Sequence, residues 1–295
     1  MAQRWREGSR ALEAALKLRK GGKEQIQVIM DFDHTMTCFR RMDGTNMPQS
    51  HCSIEHLSLM PDAFREGYGQ LWEEQKRELA AGIWPWEMWW KRSHELMVEH
   101  GFRREWVEVA VKESGMHCRQ RTLEFLKLVQ ANGIPVLVVS AGLREVIVEV
   151  LRQSDIDMSL VQIFANEMVF DEKGALASVS HAVTPDSKRD TGIMHAAYFE
   201  EVKRKHAVVM GDNLADCSVI EKVPGIDAFL RVGFYNIARG KWEEFEECFD
   251  LLLSNEELAA TECLDMGPVI DLFHALLGMD TESHDPFLAR ISTSA

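Results

Sequence analysis

Three short apolar runs that stop abruptly at polar tips restrict this chain more than any other feature. Ile26-Gln27-Val28-Ile29-Met30 ends in Asp31-Phe32-Asp33-His34-Thr35, Pro135-Val136-Leu137-Val138-Val139 ends in Ser140-Ala141-Gly142, and Ala207-Val208-Val209-Met210 ends in Gly211-Asp212-Asn213, with Asp216 one helical turn beyond. Runs of this length read as buried strands. From His117 onward strand and helix patterns alternate. A helix to Ala131 is followed by a strand over 135–140, a helix over 144–153, a strand over 161–165, a hairpin over 167–179, a helix over 187–204 and a strand over 206–210. Then come a strand near Asp227 to Arg231, a helix near 241–248, a candidate edge strand at Asp250-Leu251-Leu252-Leu253 and a helix from Pro268 to Leu277. Alternation of this kind predicts an α/β fold, a doubly wound parallel sheet with helices on both faces.

In such a sheet the strand C-termini share one rim, and ligands bind there. Side chains alternate along a strand, so Asp31 and Asp33 project to one side while Phe32 turns into the core. Two carboxylates so close repel unless a cation or proton intervenes. The pair therefore reads as a divalent-metal site with one acid available as nucleophile and the other as general acid/base, or else as a turn or helix cap. An EF-hand is excluded, because its loop needs Gly at the sixth position and Glu at the twelfth, where this chain has Met36 and Met42. The other tips bring Ser140 with the backbone N–H groups after it, Asp212 and Asp216, and Lys188 begins a predicted helix nearby. Alone, Lys188 would be a surface lysine and Asp216 a helix cap. Together the set suits a phosphoryl group.

Residues 43–115 have a wholly helical pattern, with helices near 62–80, 86–100 and 103–113, unlike the flanking segments 1–42 and 116–295. This divides the chain into an α/β core domain and an inserted helical cap domain that can lie over the strand rim and exclude water. The cap carries Trp72, Trp84, Trp86, Trp89, Trp90 and Trp106. Most are expected to pack the lid. Trp89 and Trp90 lie about 100° apart on one helix, so they do not share an environment, and one of them can face the cleft. A leader helix over 8–20 is expected at the surface, stopped by Gly21-Gly22, and the tail from Thr281 to Ala295 is expected to fray.

The 295 residues carry a net charge of −14, with a pI near 5.3, which argues against a nucleic-acid surface. A small anionic substrate needs only local cations. No window of 18 consecutive apolar residues occurs and the N-terminal segment lacks a signal-peptide core, so no membrane association and a cytoplasmic location are expected. Six scattered cysteines without a CxxC suggest thiols in a reducing compartment. The clusters His51-Cys52 with His56, and His117-Cys118, match no usual zinc spacing. A monomer is expected.

The chain resembles the haloacid dehalogenase superfamily, whose four motifs are matched in order by Asp31 to Thr35, Ser140, Lys188, and Gly211-Asp212 through Asp216. It is similar, over roughly residues 25–278, to the cytosolic pyrimidine 5′-nucleotidase III family, including its 7-methylguanosine phosphate-specific branch. Trp89-Trp90-Lys91-Arg92-Ser93-His94, Val139-Ser140-Ala141-Gly142, Phe170-Asp171-Glu172-Lys173-Gly174 and Gly211-Asp212-Asn213-Leu214-Ala215-Asp216 carry the likeness. Residues 43–86 match poorly, and residues 1–24 and the tail after Met279 match nothing.

The resemblance implies a HAD-like Rossmannoid core with a helical cap after the first strand. It also implies Mg²⁺-dependent hydrolysis of a nucleoside 5′-monophosphate such as CMP, UMP or 7-methyl-GMP. Asp31 would be the nucleophile, forming an aspartyl-phosphate, and Asp33 the general acid/base. Asp31, the Asp33 carbonyl and Asp212 would hold the metal, with Asp216 orienting a metal water or Lys188. Ser140, Ala141, Gly142 and Lys188 would hold the phosphate. A cap glutamate, Glu73 with Glu74 close behind, would bind the base, and Ser93 would lie near the phosphate or ribose. Two alternatives stand beside hydrolysis: transfer of the phosphoryl group to a second nucleoside, and nucleotide binding without catalysis. The built-in acid Asp33 favours hydrolysis.

Overall fold

A computed structural model describes residues 2–6, 9–41, 43–83, 86–180, 183–236, 241–254, 263–280 and 283–293. Trp84, one of the six cap tryptophans, lies outside them. The described strands are β1 (Ala2–Trp5), β2 (Ile26–Met30), β3 (Val136–Leu143), β4 (Gln162–Asn166), the pair β5 (Met168–Phe170) and β6 (Leu176–Val179), β7 (His206–Gly211), β8 (Ala228–Tyr235) and β9 (Leu251–Ser254). The main sheet runs β1-β9-β8-β7-β2-β3-β4, parallel except for β1. The three strands whose tips drew attention, β7, β2 and β3, are immediate neighbours at its centre.

Their near-continuous hydrophobicity has a physical reason, since a parallel sheet is covered on both faces. Val28, Met30, Val136, Val138, Val208 and Met210 point into one core layer. Ile29, Leu137, Val139, Ala207 and Val209 point into the other. Helices α1 (Ser9–Gly21), α5 (Thr122–Ala131), α6 (Arg144–Gln153) and α10 (Gly267–Leu277) contribute to the first layer, while α8 (Ala196–Val202), which follows the short α7 (Thr191–Met194), lies against the second through Tyr198 and Phe199, as do Val219 and Ile220.

The insert contributes α2 (Asp62–Ala80), α3 (Trp86–Glu99) and α4 (Trp106–Ser114), close to the expected spans. Its entering and leaving segments are joined by an isolated antiparallel bridge at Thr37 and Cys118. Farther out, Leu176 N–H donates to the Phe102 carbonyl and Arg104 N–H to the Gly174 carbonyl, so the α3–α4 turn is stitched to the β5–β6 hairpin.

Five expectations need correction. The leader is not only a surface helix: Ala2–Trp5 adds an antiparallel edge strand, and Ala11, Ala15 and Leu18 of α1 are fully buried against the core. Consequently Leu251–Ser254 is an interior strand, not an edge. The tail is not frayed through 283–293, because α9 (Trp242–Cys248) and α10 are followed by α11 (Pro286–Thr293), which buries Leu288 and Ile291 and stacks Phe287 on Trp5. The segment expected as one helix over 187–204 is broken at His195, between α7 and α8. Lastly, Cys217 and Cys248 form a disulfide, with Cα atoms 6.3 Å apart, whereas Cys38, Cys52, Cys118 and Cys263 are in no disulfide.

Candidate active site

The tips of β2, β3 and β7 and the 3-10 turn Lys188–Asp190 converge on one cavity of about 110 Å³. Asp31, Asp33, Ser140, Ala141, Gly142, Lys188, Asp212 and Asp216 line it. Asp31 follows β2 and its N–H is bonded to the Met210 carbonyl of β7, which fixes the two acid-bearing tips side by side. The chain then turns through His34, a non-glycine residue at φ 63, a conformation that needs outside support. Support comes from buried Arg119, which donates to the Thr35 carbonyl at 2.7 Å and also to the His34 carbonyl. Asn236, at the tip of β8, donates to the same His34 carbonyl at 3.2 Å and to Asp212 Oδ2 at 3.4 Å.

Lys188 Nζ lies 2.7 Å from Asp31 Oδ1 and 2.5 Å from Asp216 Oδ1. The second oxygen of Asp216 accepts the Asn213 N–H at 2.9 Å, completing a capping box at the turn Leu214–Ile220. Asp216 is thus engaged on both sides. Burial raises the Asp31 carboxyl well above the ordinary carboxylate range; Lys188 opposes this, while Asp216, Asp212 and Asp33 reinforce it. Burial would by itself lower Lys188, but Asp216 and Asp31 more than offset it and hold the ammonium charged.

One lysine faces four buried carboxylates. Ligand atoms of Asp31, Asp212 and Asp216 all lie within 4.8 Å of one another. Hard oxygen donors in charge excess are the donor set that Mg²⁺ takes, so these residues fit a divalent cation. Among the described residues no other group of three or more His, Cys, Asp or Glu is so placed.

Asp33 is held differently. Ser50, from the insert, donates to it twice, N–H to Oδ1 and hydroxyl to Oδ2, both at 2.7 Å. Gly142 makes this approach feasible, since a Cβ there would sit 1.8 Å from Ser50 Oγ and 3.1 Å from Asp33 Oδ2. The Gly142 N–H donates to Ser140 Oγ at 3.0 Å, which leaves the Ser140 hydroxyl proton for an incoming acceptor.

Of the two cap tryptophans, Trp90 lines the cavity and Trp89 does not. Trp89 packs among Tyr68, Trp72, His51 and Trp90, and walls a separate cavity of about 230 Å³ between α2 and α3. Two assignments that rested on the resemblance are not brought to the catalytic cavity. Glu73 is exposed and paired with Lys76 at 2.7 Å, because α2 turns Phe64, Tyr68 and Gln75 inward and Glu73 outward. Its neighbour Glu74 pairs with Arg92 at 2.8 Å. Ser93 is buried and its hydroxyl donates to the Trp90 carbonyl at 2.9 Å, one turn back on its own helix. Sequence reasoning missed Gln49, Ser50 and His51, which close the cavity or grip Asp33 from an irregular segment, and Asn236.

Comparison with known proteins gives a consistent picture. A family profile described as pyrimidine 5′-nucleotidase (UMPH-1) matches residues 34–264. The 7-methylguanosine phosphate-specific 5′-nucleotidase of Homo sapiens is 25% identical over 262 residues, 85% of this chain and 87% of its own length, and that of Mus musculus is 24% identical over the same extent. Among solved structures, cytosolic 5′-nucleotidase IIIB bound to cytidine superposes with a TM-score of 0.78 at 25% identity, covering 93% of this chain and 92% of that one. A substrate-bound phosphoserine phosphatase, 18% identical with a TM-score of 0.51 over 83% of this chain and 96% of its own, shares the fold. No described helix is long and apolar enough to cross a membrane.

Proposed function

The chain belongs to the pyrimidine 5′-nucleotidase (UMPH-1) family and is a 5′-nucleotidase, and from that premise we propose that it hydrolyses nucleoside 5′-monophosphates through an aspartyl-phosphate at Asp31. The observation that carries the proposal is the Asp31–Lys188–Asp216 chain beside an Asp33 that is gripped by Ser50 instead of by lysine. Two carboxylates a residue apart are thereby given different partners, and different partners give different roles.

Asp31 is the nucleophile, aimed by Lys188 and by the Thr35 hydroxyl at 3.5 Å. Asp33 donates a proton to the leaving ribose oxygen and then takes one from the water that cleaves the acyl phosphate. The Ser140 hydroxyl and the Ala141 N–H receive the phosphoryl oxygens, Gly142 holds Ser140 through its own N–H, and Lys188 balances the charge. Asp31 and Asp212, with the Asp33 carbonyl, are the residues that would hold Mg²⁺, which when bound neutralises phosphoryl charge and orients the group for in-line attack. Asp216 fixes Lys188.

A cavity of about 110 Å³ is smaller than the ~300–1,000 Å³ of pockets that enclose whole small molecules, so it suits the phosphoryl end. The nucleoside enters beside Trp90, Gln49 and His51 when the insert moves aside. An indole wall in an acidic cleft favours a cationic base, by ~0.5–2 kcal/mol of cation–π attraction, so 7-methyl-GMP is the preferred substrate and CMP and UMP follow. A cytoplasmic location and a monomeric state accompany this reading.

Phosphate release from CMP, UMP, GMP and 7-methyl-GMP in the presence of Mg²⁺ tests it, and release from none of the four would overturn it. Adding a nucleoside acceptor separates the transferase alternative, which would yield a new monophosphate in place of free phosphate.

A further inference from the structure

Strand β8 runs parallel to β7 with Gly233 opposite Gly211, so its end lies beside the tip that carries Asp212. Phe234 and Tyr235 continue the strand before the polar residue that follows it, Asn236. That side chain is fully buried. Its Nδ2 donates to the His34 carbonyl at 3.2 Å and to Asp212 Oδ2 at 3.4 Å. A carbonyl and an ionised carboxylate can only accept, so the amide has one orientation, with both Nδ2 protons engaged. Its Oδ1 is buried and finds no partner among the described residues. An apolar side chain of similar size would leave no such unmet acceptor, so burial alone gives no reason for an amide here. The reason lies in the two donors.

The two donors act on different things. Arg119 also donates to the His34 carbonyl, so the turn through His34 keeps a holder without Asn236. What Arg119 does not duplicate is the hold on Asp212. Neutrality matters as well. A lysine or arginine would grip a carboxylate more strongly but would offset the negative charge that attracts a cation, and Lys188 already brings one positive charge to this cluster. An amide fixes the oxygen and leaves the charge.

We propose that Asn236 is a positioning residue that fixes the Asp212 carboxylate and thereby makes the cavity select Mg²⁺ over Ca²⁺. The inference rests on the reading of Asp212 as a metal ligand. Mg²⁺ demands a near-ideal octahedron, so its affinity depends on a carboxylate held in one orientation. Ca²⁺ takes about six to eight oxygens in looser geometry and tolerates a carboxylate that swings. Hydrogen-bond partners behind ligating groups are worth ~10- to 100-fold in metal affinity, and here that loss should fall on the stricter ion.

The test measures a dissociation constant for each ion from the rise of Tm with MgCl₂ or CaCl₂, on the full chain without substrate. Asn236→Leu keeps the volume and removes both donors. Its Kd for Mg²⁺ should rise ~10- to 100-fold while that for Ca²⁺ changes by less than ~3-fold. Asn236→Ser, whose hydroxyl has one proton to give where the amide has two, should move the Mg²⁺ value in the same direction, and it decides the question if the leucine protein does not fold. Equal weakening for both ions would overturn the proposal. So would a lower Tm in chelator with unchanged ion binding, which is what a merely structural residue would give. If Mg²⁺ stabilises the native protein and the variants match it, this inference alone falls. If neither ion raises the native Tm, the metal reading falls and this inference with it.

Discussion

Both carboxylate oxygens of Asp33 are held at 2.7 Å by a single residue, Ser50, through its backbone N–H and its hydroxyl. Ser50 belongs to the insert and Asp33 to the core, so the insert itself holds the acid/base in place. Ser50→Ala removes one charge-assisted hydrogen bond, worth about 1.5–3 kcal/mol, and kcat should fall ~10- to 100-fold while Mg²⁺ affinity stays within about twofold. Steady-state kinetics with a metal titration checks this; an unchanged kcat would mean that Asp33 does not depend on the insert for its placement.

Trp89 and Trp90 should separate cleanly. Trp90→Ala is expected to raise KM for a nucleotide by ~5- to 100-fold, from ~1–3 kcal/mol of stacking, with a much smaller effect on an aryl phosphate. Trp89, packed among Tyr68, Trp72 and His51, should instead cost about 3–5 kcal/mol of stability when cut to Ala and affect both substrates alike. Kinetics on the two substrates, together with thermal melts, would decide; equal KM effects of Trp90→Ala on both would place the base elsewhere.

The acid cluster sets the sign of a pH effect. Burial and the charges of Asp216, Asp212 and Asp33 raise Asp31 above its ordinary 3.8, so the native state holds that proton more tightly than the unfolded chain. Stability from this group is fully present below about pH 3.8 and is lost as pH rises through the folded value. Metal-free protein should therefore lose part of its Tm as pH rises through that raised value, and Mg²⁺ should restore it. In Asp31→Asn this component should vanish. Melting curves from pH 5 to 8 with chelator and with Mg²⁺ test it, and a metal-free Tm that rises over this range equally in both proteins would refute it.

Chelation should abolish turnover and Mg²⁺ should restore it, whereas Ca²⁺, with ligand distances of ~2.3–2.6 Å against ~2.0–2.1 Å, should inhibit. Full activity in excess chelator would remove the metal from the scheme.

The catalytic rim was legible because parallel strands buried on both faces leave an unmistakable apolar run, and the first polar residue after it must sit at the rim. Asp31, Asp212 and Ser140 follow from that rule. Asn236 obeys it too, but its strand was ended early at Arg231, four residues before Tyr235 closes β8. Ser50 and His51 had no such signal, since the segment that carries them has neither helical nor strand period. Glu73 failed on helical phase. Phe64, Tyr68, Leu71 and Gln75 recur at spacings of four and three, and Glu73 lies two residues, about 200°, from Gln75, on the opposite face. The N-terminal strand, Ala2–Trp5, carries no apolar run and owes its place to pairing with β9.

The nucleophile is where the account can be tested most directly. Asp31→Asn removes the attacking oxygen and keeps the volume, so with 7-methyl-GMP and saturating Mg²⁺ the folded variant should release phosphate at less than about one thousandth of the native rate. Release above a few per cent of the native rate, from a protein whose melt confirms that it is folded, would contradict the assignment of Asp31.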